Sequence, residues 1–426
     1  MLINNINIKL KENVKFIKLY MYLYIFLLPF NFFSGFFSNL TFILFFWWLF
    51  LGKREGYFQK IKEIFKNKPL VLFFLFIIYA ILSLFWSSNL EAGIEELGYY
   101  KYYPIIVLVF FTVFKKEDVK MAFYVITFSF ALYALFSLSI YMEFFTVQLK
   151  NEISNKSNPR GILPYAVVTF YMAFNVLLSI YFAIKEQNNK LKYLFLFIAI
   201  VSFFTILVNN GRMGQLSFLF SLIVLMVYYR QYLYQYKKII ILIFLLMVLC
   251  IFYLYNINKM DRYFLGFQQL QHAYENKEYV GSWGARLFMW NAATELIPKN
   301  FLFGTGVGDA FVELEEYKNQ NSEILNGWIT HYHNHYFEYI AKFGIFGYFI
   351  FLISIVFLLK ILYKQEKDFF YIALVFYSMF FINGVGDSII QMSNFDNFFI
   401  LVFVLLSITI KENSKYKIGD KKIIWK

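Results

Sequence analysis

Three of the four histidines fall within five residues, at His331, His333 and His335. His333 is followed by Asn334 and, nine residues further on, by Gly344-x-x-Gly347. An unperturbed imidazole titrates near pH 6.5, so one of these rings could serve as a general base at neutral pH. The alternation also suits a metal, because residues two apart share one face of an extended strand. The single cysteine, Cys250, lies inside an apolar run, and no second ligand cluster follows. An intrachain disulfide and a Cys-based metal site are thereby excluded, and neither a metal nor another cofactor is expected. Arginine is the second candidate chemistry. Arg160, Arg212, Arg262 and Arg286 lie in the polar segments on the same side as the histidines. A guanidinium stays charged and presents a planar fork of donors that matches phosphate oxygens. Arg212 sits in a tight turn, Asn209-Asn210-Gly211-Arg212-Met213-Gly214, close to the bilayer surface. It could snorkel to lipid headgroups or hold the diphosphate of a lipid-anchored substrate. The same alternatives hold for Arg286. Arg160, before Gly161, is a third diphosphate candidate, and Arg262 reads as surface. Asp387 and Glu338 are the acidic groups able to orient an imidazole or accept from an arginine, although Glu338 reads more simply as structural. Gly304-Thr-Gly-Val-Gly308 lacks the strand–turn–helix setting of a nucleotide loop and reads as a turn.

These residues must be positioned by membrane helices. Of 426 residues, 60% are hydrophobic and 16% charged, and the mean hydropathy is +0.56. A soluble domain could not cover its surface with so little charge. Apolar runs of nearly 20 residues recur, each long enough to cross a hydrocarbon core. Twelve spans are predicted, near 17–33, 36–52, 69–86, 103–115, 121–142, 163–184, 193–209, 214–230, 239–256, 336–359, 368–384 and 396–410. The first two could form a tight hairpin, and the fourth is short enough to be re-entrant. The first is expected to be an uncleaved span, because no small-residue cleavage site follows it.

The net charge of +13 would suggest nucleic acid in a soluble protein. Here the positive-inside rule accounts for it, since most Lys and Arg lie on one side of the twelve spans, and no nucleic-acid partner is expected. That side is assigned to the cytoplasm, with both termini. The chain then divides into spans one to nine (1–256), one large extracytoplasmic loop (257–335), and spans ten to twelve with the tail (336–426). Within the loop, 262–274 reads as a short amphipathic helix. A second helix is expected from an N-cap at Ser282 to about Ile297, stopped by Pro298. It places Arg286 and Trp290 on one face. Gly344 and Gly347, at the start of a span, would permit close helix approach.

Arg286-x-x-x-Trp290, Pro298-x-x-x-Leu302-x-Gly304-x-Gly306-x-Gly308 and His331-x-His333-Asn334 together resemble the O-antigen ligase and polymerase superfamily. Its ligase members carry His followed by Asn, Ser or Gln, nine residues, then Gly-x-x-Gly, a pattern this chain matches from His333 to Gly347. The resemblance implies an all-α, polytopic, GT-C-like membrane glycosyltransferase in the bacterial inner membrane, surrounded by membrane lipid, with its site on a large periplasmic loop. It implies metal-independent, inverting transfer of a glycan from undecaprenyl diphosphate to a sugar hydroxyl of lipid A–core. By position it assigns catalytic roles to His333, Arg286 and Arg212, and diphosphate binding to Arg212, Arg286 and Arg160. Asp387, Asn334, Gly344 and Gly347 would support them. The surroundings of Arg160 depart from the family's pattern. A polymerase or a protein O-oligosaccharyltransferase would share the donor and differ in the acceptor. The complete His-Asn…Gly-x-x-Gly pattern favours the ligase. A glycolipid transporter would need polar groups through mid-membrane, and few are present.

Overall fold

The computed structural model describes residues 2–30, 33, 35–150, 152–230, 261–321, 331–392 and 395–410. The expected ninth span, 239–256, lies outside them. Ten helices precede that gap: α1 Leu2–Leu27, α2 Phe36–Gly52, α3 Tyr57–Ile64, α4 Lys68–Leu82, α5 Leu90–Leu97, α6 Tyr103–Val113, α7 Lys116–Tyr141, α8 Tyr165–Lys185, α9 Asn189–Val208 and α10 Arg212–Tyr228. The loop helices α11 Asp261–Asn276, α12 Gly281–Leu296 and α13 Ala310–Gln320 follow, then α14 His335–Gln365, α15 Lys367–Asn383 and α16 Phe395–Thr409. The only strands among the described residues, β1 Val147–Gln148 and β2 Ile153–Ser154, pair antiparallel between α7 and α8. The chain is thus an all-α polytopic membrane protein with one small hairpin.

Helices dominate because a segment surrounded by hydrocarbon must satisfy every backbone N–H and C=O internally. Among the described residues, five helices are long and apolar enough to cross a membrane, or six if the pair Phe36–Gly52 and Tyr57–Ile64, bent by 110°, is counted as one span. Several expected spans are shorter. The segment at 103–115 yields only the 11-residue α6. At 1.5 Å per residue it covers roughly 17 Å, about half a hydrocarbon core, and it is buried almost throughout. Every residue of α16 is buried, as expected of a helix apolar on all sides at the centre of a bundle. Its rings pack against neighbours on several helices, with centroid separations of 4.9 Å for Phe73–Phe403 and 5.0 Å for Phe380–Phe399. The outer helices instead expose large apolar side chains that fit a lipid surface. They include Leu75 and Ile78 on α4, Phe197, Ile200 and Phe204 on α9, and Phe346 and Val356 on α14.

Two features of α14 prepare the site. Asn334 caps it, its side-chain oxygen accepting from the backbone N–H of Tyr336 and Phe337 at 3.0 and 3.1 Å. The helix breaks at Gly344, where φ is 65° and ψ 177°, a conformation open essentially to glycine. At that break the 301–306 turn docks. Thr305 and Gly306 donate backbone N–H groups to Ala341 and Lys342, and Ile345 and Phe346 donate to Phe301 and Leu302. A Cβ at Gly344 would lie 2.2 Å from the Leu302 carbonyl oxygen. Gly347 meets Tyr79 of α4, with which a Cβ would collide at 2.4 Å. Close helix approach, expected of both glycines, therefore describes Gly347. Gly344 receives a loop instead.

Candidate functional site

The site forms where α12, the start of α10, the segment before α14 and the turn after α15 meet. Arg286, on α12, is 8% exposed and Asp387, in the turn, 4%. The guanidinium donates from Nε to the Gly386 carbonyl (2.8 Å), from Nη1 to the Ser282 carbonyl (3.1 Å) and from Nη2 to Asp387 Oδ1 (3.1 Å). The same Asp387 oxygen lies 3.1 Å from His333 Nδ1. One carboxylate oxygen thus receives both an arginine and a histidine. Burial pushes the Asp387 carboxyl up, but the hydrogen bond from His333 and the charge of Arg286 outweigh it and hold the group below its ordinary range.

His333 has φ 47°, a left-handed backbone that a side chain rarely adopts outside special sites. Its neighbours hold it there. The His335 N–H donates to the Gly384 carbonyl at 2.8 Å, and the Asn334 side chain donates to the Val385 carbonyl at 3.0 Å. The segment before α14 is therefore stitched to the turn carrying Asp387, residue against residue. His331 lies beside His333, ring centroids 3.9 Å apart and planes tilted by 42°, and burial together with that neighbour lowers its pKa to about 4. His335 points elsewhere, into an aromatic cage that includes Tyr339 and Phe380.

Arg212, the first residue of α10, reaches α12, where Nη2 donates to Ser282 Oγ at 3.0 Å. Trp283 stands between the arginines, its ring 5.9 Å from the Arg212 guanidinium carbon and 5.3 Å from that of Arg286. Both arginines and Asp387 line a cavity of about 110 Å³, together with Trp283, Tyr165, Asn158 and Asn210. Residues 197–352 match the O-antigen ligase family. The match supports the O-antigen ligase-like superfamily and, in general terms, a membrane enzyme of ligase or polymerase type. It includes Arg212, Arg286, His333, Asn334, Gly344 and Gly347, and leaves Arg160 and Asp387 outside. No curated protein matches the chain.

The structure departs from the sequence reading at Arg160 and at Ser282. Arg160 does not line the cavity. Its Nη2 lies 2.8 Å from Glu152 Oε2, closing the hairpin that contains β1 and β2. Ser282 does not cap α12, whose N-cap position is Val280; its hydroxyl and carbonyl are taken by the two arginines instead. Glu338 bonds neither imidazole nor arginine among the described residues. It is fully buried, accepts from Lys342 at 3.1 Å, and is hydrogen-bonded by Ser388. Lys342 also reaches Glu96 at 2.5 Å. The Asp387 turn is thus held from beneath by an ion cluster and from above by Arg286. The turn at 304–308 offers no backbone donors to a phosphate, because its N–H groups all go to protein acceptors, among them Ser83 Oγ and Ser87 Oγ.

Sequence reasoning missed Trp283, Asn158 and Lys342. Lys342 did leave a signal, since a lysine four residues after a glutamate in an apolar helix asks for a buried partner. Asn158-Pro159 marked only a turn.

Proposed function

We propose that this chain transfers a glycan from undecaprenyl diphosphate to a sugar hydroxyl of lipid A–core. Transfer takes place at the periplasmic face of the inner membrane, on a GT-C-like scaffold whose 257–335 segment is the periplasmic loop. The observation that carries the reading is the Asp387 oxygen shared by His333 and Arg286 beside a cavity lined by Arg212. With Nδ1–H directed at Asp387, the imidazole is held as the tautomer whose Nε2 can accept a proton. The acceptor hydroxyl oxygen attacks the anomeric carbon and its proton passes to His333 Nε2. The bond from that carbon to the diphosphate oxygen breaks, and its electron pair leaves with the diphosphate. Arg212 faces the charge that develops there, which favours the transition state over the ground state. Arg286, engaged through all three nitrogens, acts first by fixing Asp387 and second through its remaining N–H groups. The donor is already activated, so the step uses neither nucleotide nor metal.

The test is transfer by the purified protein in lipid nanodiscs, supplied with undecaprenyl-diphosphate-linked glycan. Lipid A–core and a second lipid-linked glycan are offered in parallel. The expected product is glycan on lipid A–core, absent with His333→Ala. Elongated lipid-linked glycan as the sole product would replace ligase by polymerase. Wild-type rates from His333→Ala would remove the base.

A further inference from the structure

The cavity beside Arg212 has two chemically different sides. Arg212 and Arg286 present donors. Asn158 adds a carboxamide, which carries an acceptor Oδ1 as well as a donor Nδ2. Its side-chain Oδ1 is buried and has no hydrogen-bond partner among the described residues, while the residue lines the same cavity. An acceptor buried without a donor forfeits the hydration it had in water, so a ligand that brings a donor there is favoured.

The position of Asn158 is fixed independently of its side chain. Its backbone N–H donates to the Asn155 carbonyl at 3.0 Å, and its own carbonyl accepts from the Arg160 N–H at 2.8 Å. Ser154 Oγ donates to the same carbonyl at 3.1 Å. Asn210, two residues before Arg212, donates to the Ser157 carbonyl at 3.0 Å, tying the hairpin to the turn that carries the arginine. Arg160 and Glu152 brace the other side of the hairpin.

We propose that Asn158 is a specificity-determining residue that reads the sugar attached to the diphosphate. Its carboxamide oxygen accepts a hydrogen bond from a hydroxyl or amide N–H of that sugar. Diphosphate oxygens only accept, so they can satisfy the arginines but not Asn158 Oδ1. A sugar carries the missing donors, and the bond between sugar and diphosphate would then lie between the two sides of the cavity. This inference rests on the glycan-transfer reading above.

The experiment measures kcat/KM in nanodiscs for a polyprenyl-diphosphate glucoside and for a series of analogues each lacking one hydroxyl. Wild-type turnover of the parent glucoside tests the transfer reading by itself. For Asn158→Ala the expectation is a roughly tenfold loss with the parent sugar. With one deoxy analogue, the wild type shows the same loss and Asn158→Ala loses nothing further. Asn158→Leu restores bulk without the acceptor, and the same tenfold loss is expected. Full activity of Asn158→Leu would assign a packing role and overturn the proposal. So would losses that multiply for every analogue, or an Asn158→Ala protein as active as wild type.

Discussion

Replacing Asp387 by Asn keeps the shape of the turn and removes its charge. Arg286 is 8% exposed and loses its only ionic partner among the described residues, keeping the Gly386 and Ser282 carbonyls. A buried charge left unpaired costs roughly 3 kcal/mol. The thermal midpoint in detergent should fall accordingly. Turnover should fall further, because the imidazolium formed at His333 loses the carboxylate 3.1 Å away and the amide no longer enforces one tautomer. A loss of kcat/KM of about 10³ is expected, about 4 kcal/mol at the usual tenfold per 1.4 kcal/mol. Single-turnover transfer of labelled glycan separates this from slow product release. Groups that act as a unit are not additive, so Asp387→Asn placed on His333→Ala should cost little more than His333→Ala alone. An Asp387→Asn protein retaining roughly a third of wild-type kcat/KM, or losses that multiply in the double variant, would refute the coupling.

Arg286→Lys keeps a charge but offers one nitrogen where three are engaged, so both transfer and thermal stability should drop; wild-type behaviour in both would contradict the clamp. Gly344→Ala places a Cβ 2.2 Å from the Leu302 carbonyl oxygen at φ 65°, and a destabilisation above roughly 2 kcal/mol is expected by denaturant titration. The pH dependence of stability should carry the mark of His331. Its folded pKa of about 4 lies below the unfolded value near 6.5, so the unfolded chain binds the extra proton. The contribution is complete above about pH 6.5 and is lost as pH falls toward 4, on the order of 3 kcal/mol in total. Unfolding midpoints compared at about pH 7.5 and 5 should show a slope that His331→Phe flattens, and an unchanged slope would be the contrary result.

The helical membrane class was legible because apolar periodicity and charge placement are local properties of the chain. The lengths of individual helices were less so: α6 is only 11 residues long because it is buried among other helices and does not have to match the bilayer. At the candidate site, residue type pointed to Arg212, Arg286, Asp387 and one of the histidines, and the family resemblance singled out His333, but neither told how they meet. That one oxygen of Asp387 takes two donors depends on a turn and a loop helix whose residues stand 101 positions apart. Arg160 was the weaker arginine candidate in sequence, but its ion pair was not visible there, since an arginine at a loop end gives no sign of the glutamate eight residues before it folding back. Ser282 resembled a cap by type, yet its hydroxyl accepts from Arg212 and its carbonyl from Arg286. Asn158 could not be found by type at all, because an unpaired acceptor is a property of the folded surroundings.

The interruption of α14 at Gly344 also sets where this protein can be recombined. Residues 335–343 share a helix with the apolar segment beyond, yet their hydrogen-bonded neighbours are the 301–306 turn and the turn after α15. A chimera that exchanges acceptor preference should therefore be joined at the glycine, not at the helix start. It should carry α5 along with it, since Glu96 would otherwise meet a foreign partner in place of Lys342. Grafts cut at residue 335 would separate the histidine from the scaffold that keeps its backbone left-handed.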